Sequence, residues 1–171
     1  VWLMPRSREP IATSHDSVSV ASVMRQRETH WFFASVFFHV LAHIGIYVFF
    51  SLYVDSLGYS KTMIGVLWAV SVAMEIVGFF TQSRWMHHLS LAAWLYVCTA
   101  AMVLRMGLTA WWGGVLWVLL AAQLLHALTF AVHHTVCIAW LSKNFPGRLR
   151  GRGQALYAVI GYGMTGVLGA L

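Results

Sequence analysis

The chain has 171 residues, of which 60% are hydrophobic and only 9% charged, with nine Trp and ten Phe. A soluble domain of this size has too little interior to hide that much apolar surface, so lipid must solvate much of it. The formal charge of +6 sits between apolar runs, where membrane orientation explains it better than nucleic acid does.

The first residue is valine and the last apolar run stops without a flanking signal, so the chain reads as a piece of a longer protein. Residues 1–4 look like the tail of a preceding span ended by Pro5. Segment 6–29 is polar and shows no helical period, and it reads as a flexible loop between two membrane bundles; a disordered terminus fits its composition equally well.

The first complete span is expected at 31–54. Its polar residues Ser35, His39, His43, Tyr47 and Ser51 recur every four positions, which makes a stripe down one helix face. A tight loop through Gly58 follows, with Ser60 placed to cap the next helix. The second span contains the apolar run 64–80, with Trp68, Ser71, Glu75 and Gln82 on one face. Segment 84–90 is a short polar loop whose His87 and His88 read as solvated. The third span, 91–108, aligns Cys98, Met102, Arg105 and Thr109, and 109–114 is expected to turn. The fourth, 115–141, carries Gln123, His126, Phe130, His133 and Cys137 on a shared face. A basic loop broken by Pro146 and Gly147 leads to the last run, 154–171, where Tyr157, Gly161, Thr165 and Gly169 keep a four-residue interval. Small residues at that spacing let two membrane helices approach closely. Both cysteines, Cys98 and Cys137, fall inside spans and read as packing residues rather than a disulfide framework.

Nine of the eleven Lys and Arg fall in the leading segment, after the second span or after the fourth, against Lys61 alone on the other side and Arg105 within a span. That bias puts the leading segment, 1–30, and the Pro146 loop in the cytoplasm. Reporter fusions at Arg84 and Gly147 should therefore read cytoplasmic, and fusions at Gly58 and Gly113 external; the opposite pattern at any two positions would contradict the span count.

Rising about 1.5 Å per residue through a core roughly 30 Å thick, Glu75, His126 and His43 come close to the midplane. Arg105 stands about one or two turns nearer the outside, within reach of its long side chain. Ionisable groups at that depth face a partner or a water-filled cavity and often carry protons, ions or substrate. In a transporter, Glu75 takes the proton while Arg105 tunes it or holds an anionic solute. Three other readings compete: a Glu75–Arg105 structural tie, a haem site using His43 with His126 or His134, and a nucleophilic membrane enzyme. The haem reading leaves Glu75 and Arg105 unexplained, and no activated Ser or Cys arrangement is evident for an enzyme.

The strings SLYVDSLGYSKTMIGVLW at 51–68, QLLHALTF at 123–130 and FPGRLRGRGQ at 145–154 resemble the major facilitator superfamily. The likeness is greatest to its phenylpropionate-permease branch, related to lactose permease and the nucleoside–proton symporters. It implies an all-α, polytopic transmembrane helix bundle, in which 31–171 corresponds to about helices seven to eleven of a twelve-helix transporter and 1–30 to its central cytoplasmic loop. In lactose-permease-like proteins an acid on the eighth helix, an arginine on the ninth and a histidine on the tenth belong to the substrate and proton machinery. Glu75, Arg105 and His126 stand at matching places. The resemblance thus implies a secondary transporter of the cell inner membrane, a proton symporter for a small organic solute such as an aromatic acid, sugar or nucleoside. Its partners would be solute, protons, the bilayer and an N-terminal half, with no cofactor, metal or enzymatic activity. His43, Gln123 and His134 are expected to line its solute cavity. One departure is plain: a further carboxylate of lactose permease, one turn after the histidine, is here Thr129. The loop 81–88, TQSRWMHH, also lacks the acid of the usual superfamily signature.

Overall fold

A computed structural model describes residues 19–169; the expected span tail at 1–4 lies outside the described residues. Among the described residues the regular structure is entirely helical. Four helices are long and apolar enough to cross a membrane: Arg27–Ser56, Lys61–His88, Leu91–Trp112 and Leu116–Asn144.

Of the expected loop at 6–29, residues 6–18 lie outside the described residues, and the part from Ser19 onward is more ordered than its composition suggests. Helix α1 (Val20–Met24) starts on a reciprocal cap, the Ser19 hydroxyl accepting from the Ser22 N–H at 3.0 Å and the Ser22 hydroxyl from the Ser19 N–H at 3.1 Å. It holds because Val23 is buried among Leu141, Phe145 and their neighbours. Helix α2 (Arg27–Ser56) then begins four residues before the expected span, since nothing between Arg27 and Trp31 breaks a helix. The Gly58 turn follows, with φ of 87°. Ser60 caps helix α3 (Lys61–Trp85) by accepting from the Met63 N–H at 3.2 Å, as expected. Helix α4 (Leu91–Trp112), capped by Ser90, runs past the expected turn at Thr109. Thr109 instead stays helical: its hydroxyl donates to the Arg105 carbonyl, and its own carbonyl accepts from the Tyr53 hydroxyl at 3.0 Å.

The fourth span is not a plain α-helix. Helix α5 (Leu116–Leu124) widens into a π-helical turn at Ala127–Val132 before α6 (His133–Asn144). Such turns change which side chains share a face and recur at functional sites. The last run does the same, with α7 (Arg150–Tyr157), a π turn at Ala158–Met164 and α8 (Thr165–Gly169). That run lies along α2: a Cβ on Gly161 would stand 3.0 Å from a Val36 methyl, the close approach expected of the small-residue stripe.

Two apolar clusters bracket the interior. One joins α1, α2, α6 and α7 through Val23, Phe32, Val36, Leu141, Phe145 and Tyr157. The other joins α2, α3, α4 and α5 through Ile46, Phe50, Val54, Leu67, Met102 and Leu119. Between them lies a slab of buried polar side chains: His39, His43, Ser71, Arg105, Gln123, His126, Thr129 and His133. Outward, Phe80, Tyr96, Trp111 and Trp117 are each more than three-quarters exposed, a surface suited to lipid rather than water.

Gly78 sets the spacing of α3 against the fourth span. A Cβ at that position would fall 2.9 Å from the Ala131 Cβ, so only glycine lets α3 cross the π turn this closely. Gly78→Val should cost about 1–3 kcal/mol through overpacking. A lower melting temperature of the detergent-solubilised protein would register it, and an unchanged one would show the crossing to be loose.

Candidate functional site

Arg105 is the centre of the polar slab. It is wholly buried on α4, yet it meets no carboxylate within ion-pair distance among the described residues. Its Nη1 lies 3.0 Å from His126 Nδ1 and donates to the Thr129 hydroxyl at 3.1 Å, while Nη2 donates to Gln123 Oε1 at 3.0 Å. These acceptors come from consecutive turns of the fourth span, where the π turn begins. They occupy three of the five guanidinium N–H groups, and Nε is left without a partner.

That arrangement decides the tautomer of His126. Arginine has no acceptor, so the ring nitrogen facing it must be the bare one, and the ring proton sits on Nε2. Nε2 points to Glu75 and donates to its Oε2 at 3.4 Å, a long bond. Glu75 and Arg105 therefore do not touch, contrary to the direct pair that depth alone suggested. His126 stands between them, donor on one side and acceptor on the other. Glu75 keeps a quarter of its side chain exposed, whereas His126 is sealed in. Of the two, only Glu75 is open to the outside of the site.

The expected alignment of four helices in one slab holds: His43, Glu75, Arg105 and His126 come from α2, α3, α4 and the fourth span, and the His43 and His126 rings lie 5.1 Å apart. Gln123 joins the Arg105 network directly. His43 is only 4% exposed and neither ring nitrogen has a partner, so it lies behind the open face rather than on it. His134 is half-buried, with Nδ1 3.2 Å from the Tyr157 hydroxyl. Its ring continues a ladder from His126 through Phe130, at 5.4 and then 6.4 Å between centroids. His133, expected on the same face as His126, instead stacks on His39 at 3.7 Å, because the π turn shifts the helix phase.

Sequence reasoning undervalued two residues. Thr129 figured only as a missing carboxylate; it is an Arg105 partner through its hydroxyl, and its carbonyl accepts from His39 Nε2 at 2.8 Å. Its position three residues after His126, on the same helix side, was the available signal. Trp68 donates to the Ser51 hydroxyl at 2.9 Å and stacks on half-exposed Tyr47 at 5.6 Å, forming an aromatic wall between α2 and α3.

A haem between His43 and His126 does not fit. The His43 and His126 rings are too close for an iron and its macrocycle to stand between them, and the bare nitrogen of His126 already accepts from Arg105. Among the described residues no three His, Cys, Asp or Glu side chains converge as a metal site.

Comparison with known proteins agrees with the helical architecture. The "Probable 3-phenylpropionic acid transporter" of Escherichia coli (strain K12) is 28% identical over 122 residues, covering 71% of this chain and 32% of that protein. The chain thus spans about a third of the length of that relative. No solved structure matches. The family model described as the MFS_1 like family matches residues 4–171. With four membrane-capable helices and a match along nearly its whole length, the chain is a multi-pass membrane protein that belongs to the MFS_1 like family.

Proposed function

We propose that the chain is the C-terminal part of a proton-coupled symporter for small organic anions, aromatic carboxylates first among them, working in the cell inner membrane. The observation that carries this reading is Arg105, a buried cation whose bonded partners are all neutral. A buried positive charge needs a counter-charge nearby, and among the described residues Glu75, held one ring away through His126, supplies it. A solute carboxylate reaching the unpartnered Nε, which is buried here and would be uncovered only by a shift of the surrounding helices, would provide a second anion. Two anions around one guanidinium are stable only if one takes a proton, and Glu75, the partly exposed one, is placed to do so. Binding of the solute anion and protonation of Glu75 then favour one another, which is the thermodynamic core of symport.

The Tyr47–Trp68 wall and the Phe79–Phe130 pair flank this region and suit a flat apolar body. The name of the Escherichia coli relative supports an arylpropionate, and the rest of the solute site, beyond what His43, Gln123 and His134 line, would come from an N-terminal half.

The test is uptake by the full-length protein in vesicles, with a panel of an arylpropionate, a disaccharide and a nucleoside, each with and without an inward proton gradient. Gradient-dependent accumulation confined to the arylpropionate is the expected result. Accumulation of the sugar or nucleoside in its place would remove the anion from the account.

A further inference from the structure

Beyond His126 the fourth span carries Phe130 and His134 at successive turns, and the three rings stack at centroid separations of 5.4 and 6.4 Å. Helix α3 runs alongside: Phe79, one turn after Glu75, sets its edge against both Phe130 and His134. The last run closes the far end. His134 Nδ1 lies 3.2 Å from the Tyr157 hydroxyl, which lies 3.3 Å from the Tyr162 hydroxyl. Tyr157 is buried and fixes the other two, whereas Tyr162 is 37% exposed and His134 half-buried. His134 Nε2 has no partner within the chain, yet unlike the His43 nitrogens it is not sealed from solvent.

Three such groups in series keep one donor and one acceptor to spare. If Tyr162 donates to Tyr157 and Tyr157 to His134 Nδ1, the ring proton sits on Nε2 and the Tyr162 oxygen is left to accept. In the reverse order Nδ1–H donates to Tyr157 and Tyr157 to Tyr162, so Nε2 is bare and the Tyr162 proton turns outward. The cluster is neutral in both states, and no ion pair among the described residues involves it. A hydroxyl gives one proton and takes one, so it can pair with either end in either state. A carboxylate only accepts and an ammonium only donates.

We propose that His134 and Tyr162, positioned by Tyr157, form a subsite for a solute hydroxyl, so that the preferred solute is an arylpropionate hydroxylated on its ring at the end away from the carboxylate. The inference rests on the organic-anion reading of Arg105 and Glu75. His126 and His134 stand eight residues apart on one span, roughly 12 Å of helix rise. The carboxylate and phenol oxygens of such an acid stand somewhat less than that apart. The apolar Phe79–Phe130 pair lies between the two ends and suits the ring. An unsubstituted ring would displace the water from the polar end and leave its donor and acceptor unpaired, which is the source of the discrimination.

The test gives the full-length protein in vesicles three solutes: phenylpropionate, its 4-hydroxy derivative and the 4-methoxy ether of the latter. For each, kcat/KM of uptake is measured. Wild type should favour the hydroxylated acid over the unsubstituted one by about tenfold, and the ether, which cannot donate, should lose that advantage. Tyr157→Phe and Tyr162→Phe should each bring the ratio of hydroxylated to unsubstituted acid to about one. Equal wild-type values for the two acids overturn the subsite, as does a preference that survives in both variants. Variants that slow both acids in step also overturn it, because a purely structural tie between the last run and the fourth span behaves that way. If wild type takes up neither acid, the organic-anion reading fails first and the subsite with it.

Discussion

Arg105→Ala is expected to abolish both proton-driven accumulation and solute exchange in the full-length transporter, each by on the order of a hundredfold or more. The guanidinium ties Gln123, His126 and Thr129 together, and its loss leaves three buried acceptors without their donor. Orphaning a buried polar group costs about 1–3 kcal/mol each, so the fourth span should lose its local order as well as its charge. Arg105→Lys separates the two causes. A lysine keeps the cation but replaces a planar fork by a point charge, and it cannot span acceptors on consecutive turns. Restoration of exchange by lysine would mean that charge alone is needed; continued loss would mean that the fork itself is. Retained transport in the alanine variant would show Arg105 to be a dispensable tie.

Glu75→Gln should separate the two transport modes. The amide has nearly the shape of the acid, and its carbonyl can still accept from His126 Nε2, so the architecture around Arg105 survives. What it cannot do is take up or release a proton. Accumulation against a gradient should collapse to simple equilibration, while exchange of bound for free solute continues, since exchange needs no net proton movement. The contrast with Arg105→Ala follows from position: Arg105 is buried at the centre of its network, whereas Glu75 lies at the network's edge with part of its surface open.

The members of the buried polar network were legible in the sequence because polar groups inside apolar runs are conspicuous. Glu75, Arg105 and His126 each interrupt a hydrophobic stretch, and counting the rise along each helix brought Glu75 and His126 to one level, with Arg105 a turn or two away but within reach. That arithmetic gives depth but not azimuth. It therefore suggested a Glu75–Arg105 pair, where the folded chain inserts an imidazole. The azimuth depends on two features that leave little trace in the sequence. The π turn at Ala127–Val132 rephases the fourth span, so Thr129 reaches Arg105 while His133 stacks on His39. The close crossing at Gly78 brings α3 against that turn and sets the reach of Glu75, and no periodicity announces it. Helix α1 was hidden for another reason: its order comes from Val23 burying itself against residues more than a hundred positions away. The caps at Ser60 and the close α2–Gly161 contact were readable because they follow from local chemistry and residue size.

The central claim is that Glu75 carries the proton that moves with the solute. Its most direct test is an external pH recording on de-energised vesicles holding the full-length protein, to which an arylpropionate is added. Wild type should make the medium transiently more alkaline as solute and proton enter together. Glu75→Gln should leave the pH flat while its exchange of labelled solute continues. An alkaline transient in Glu75→Gln equal to that of wild type would show that the proton travels elsewhere and that Glu75 only ties α3 to the fourth span.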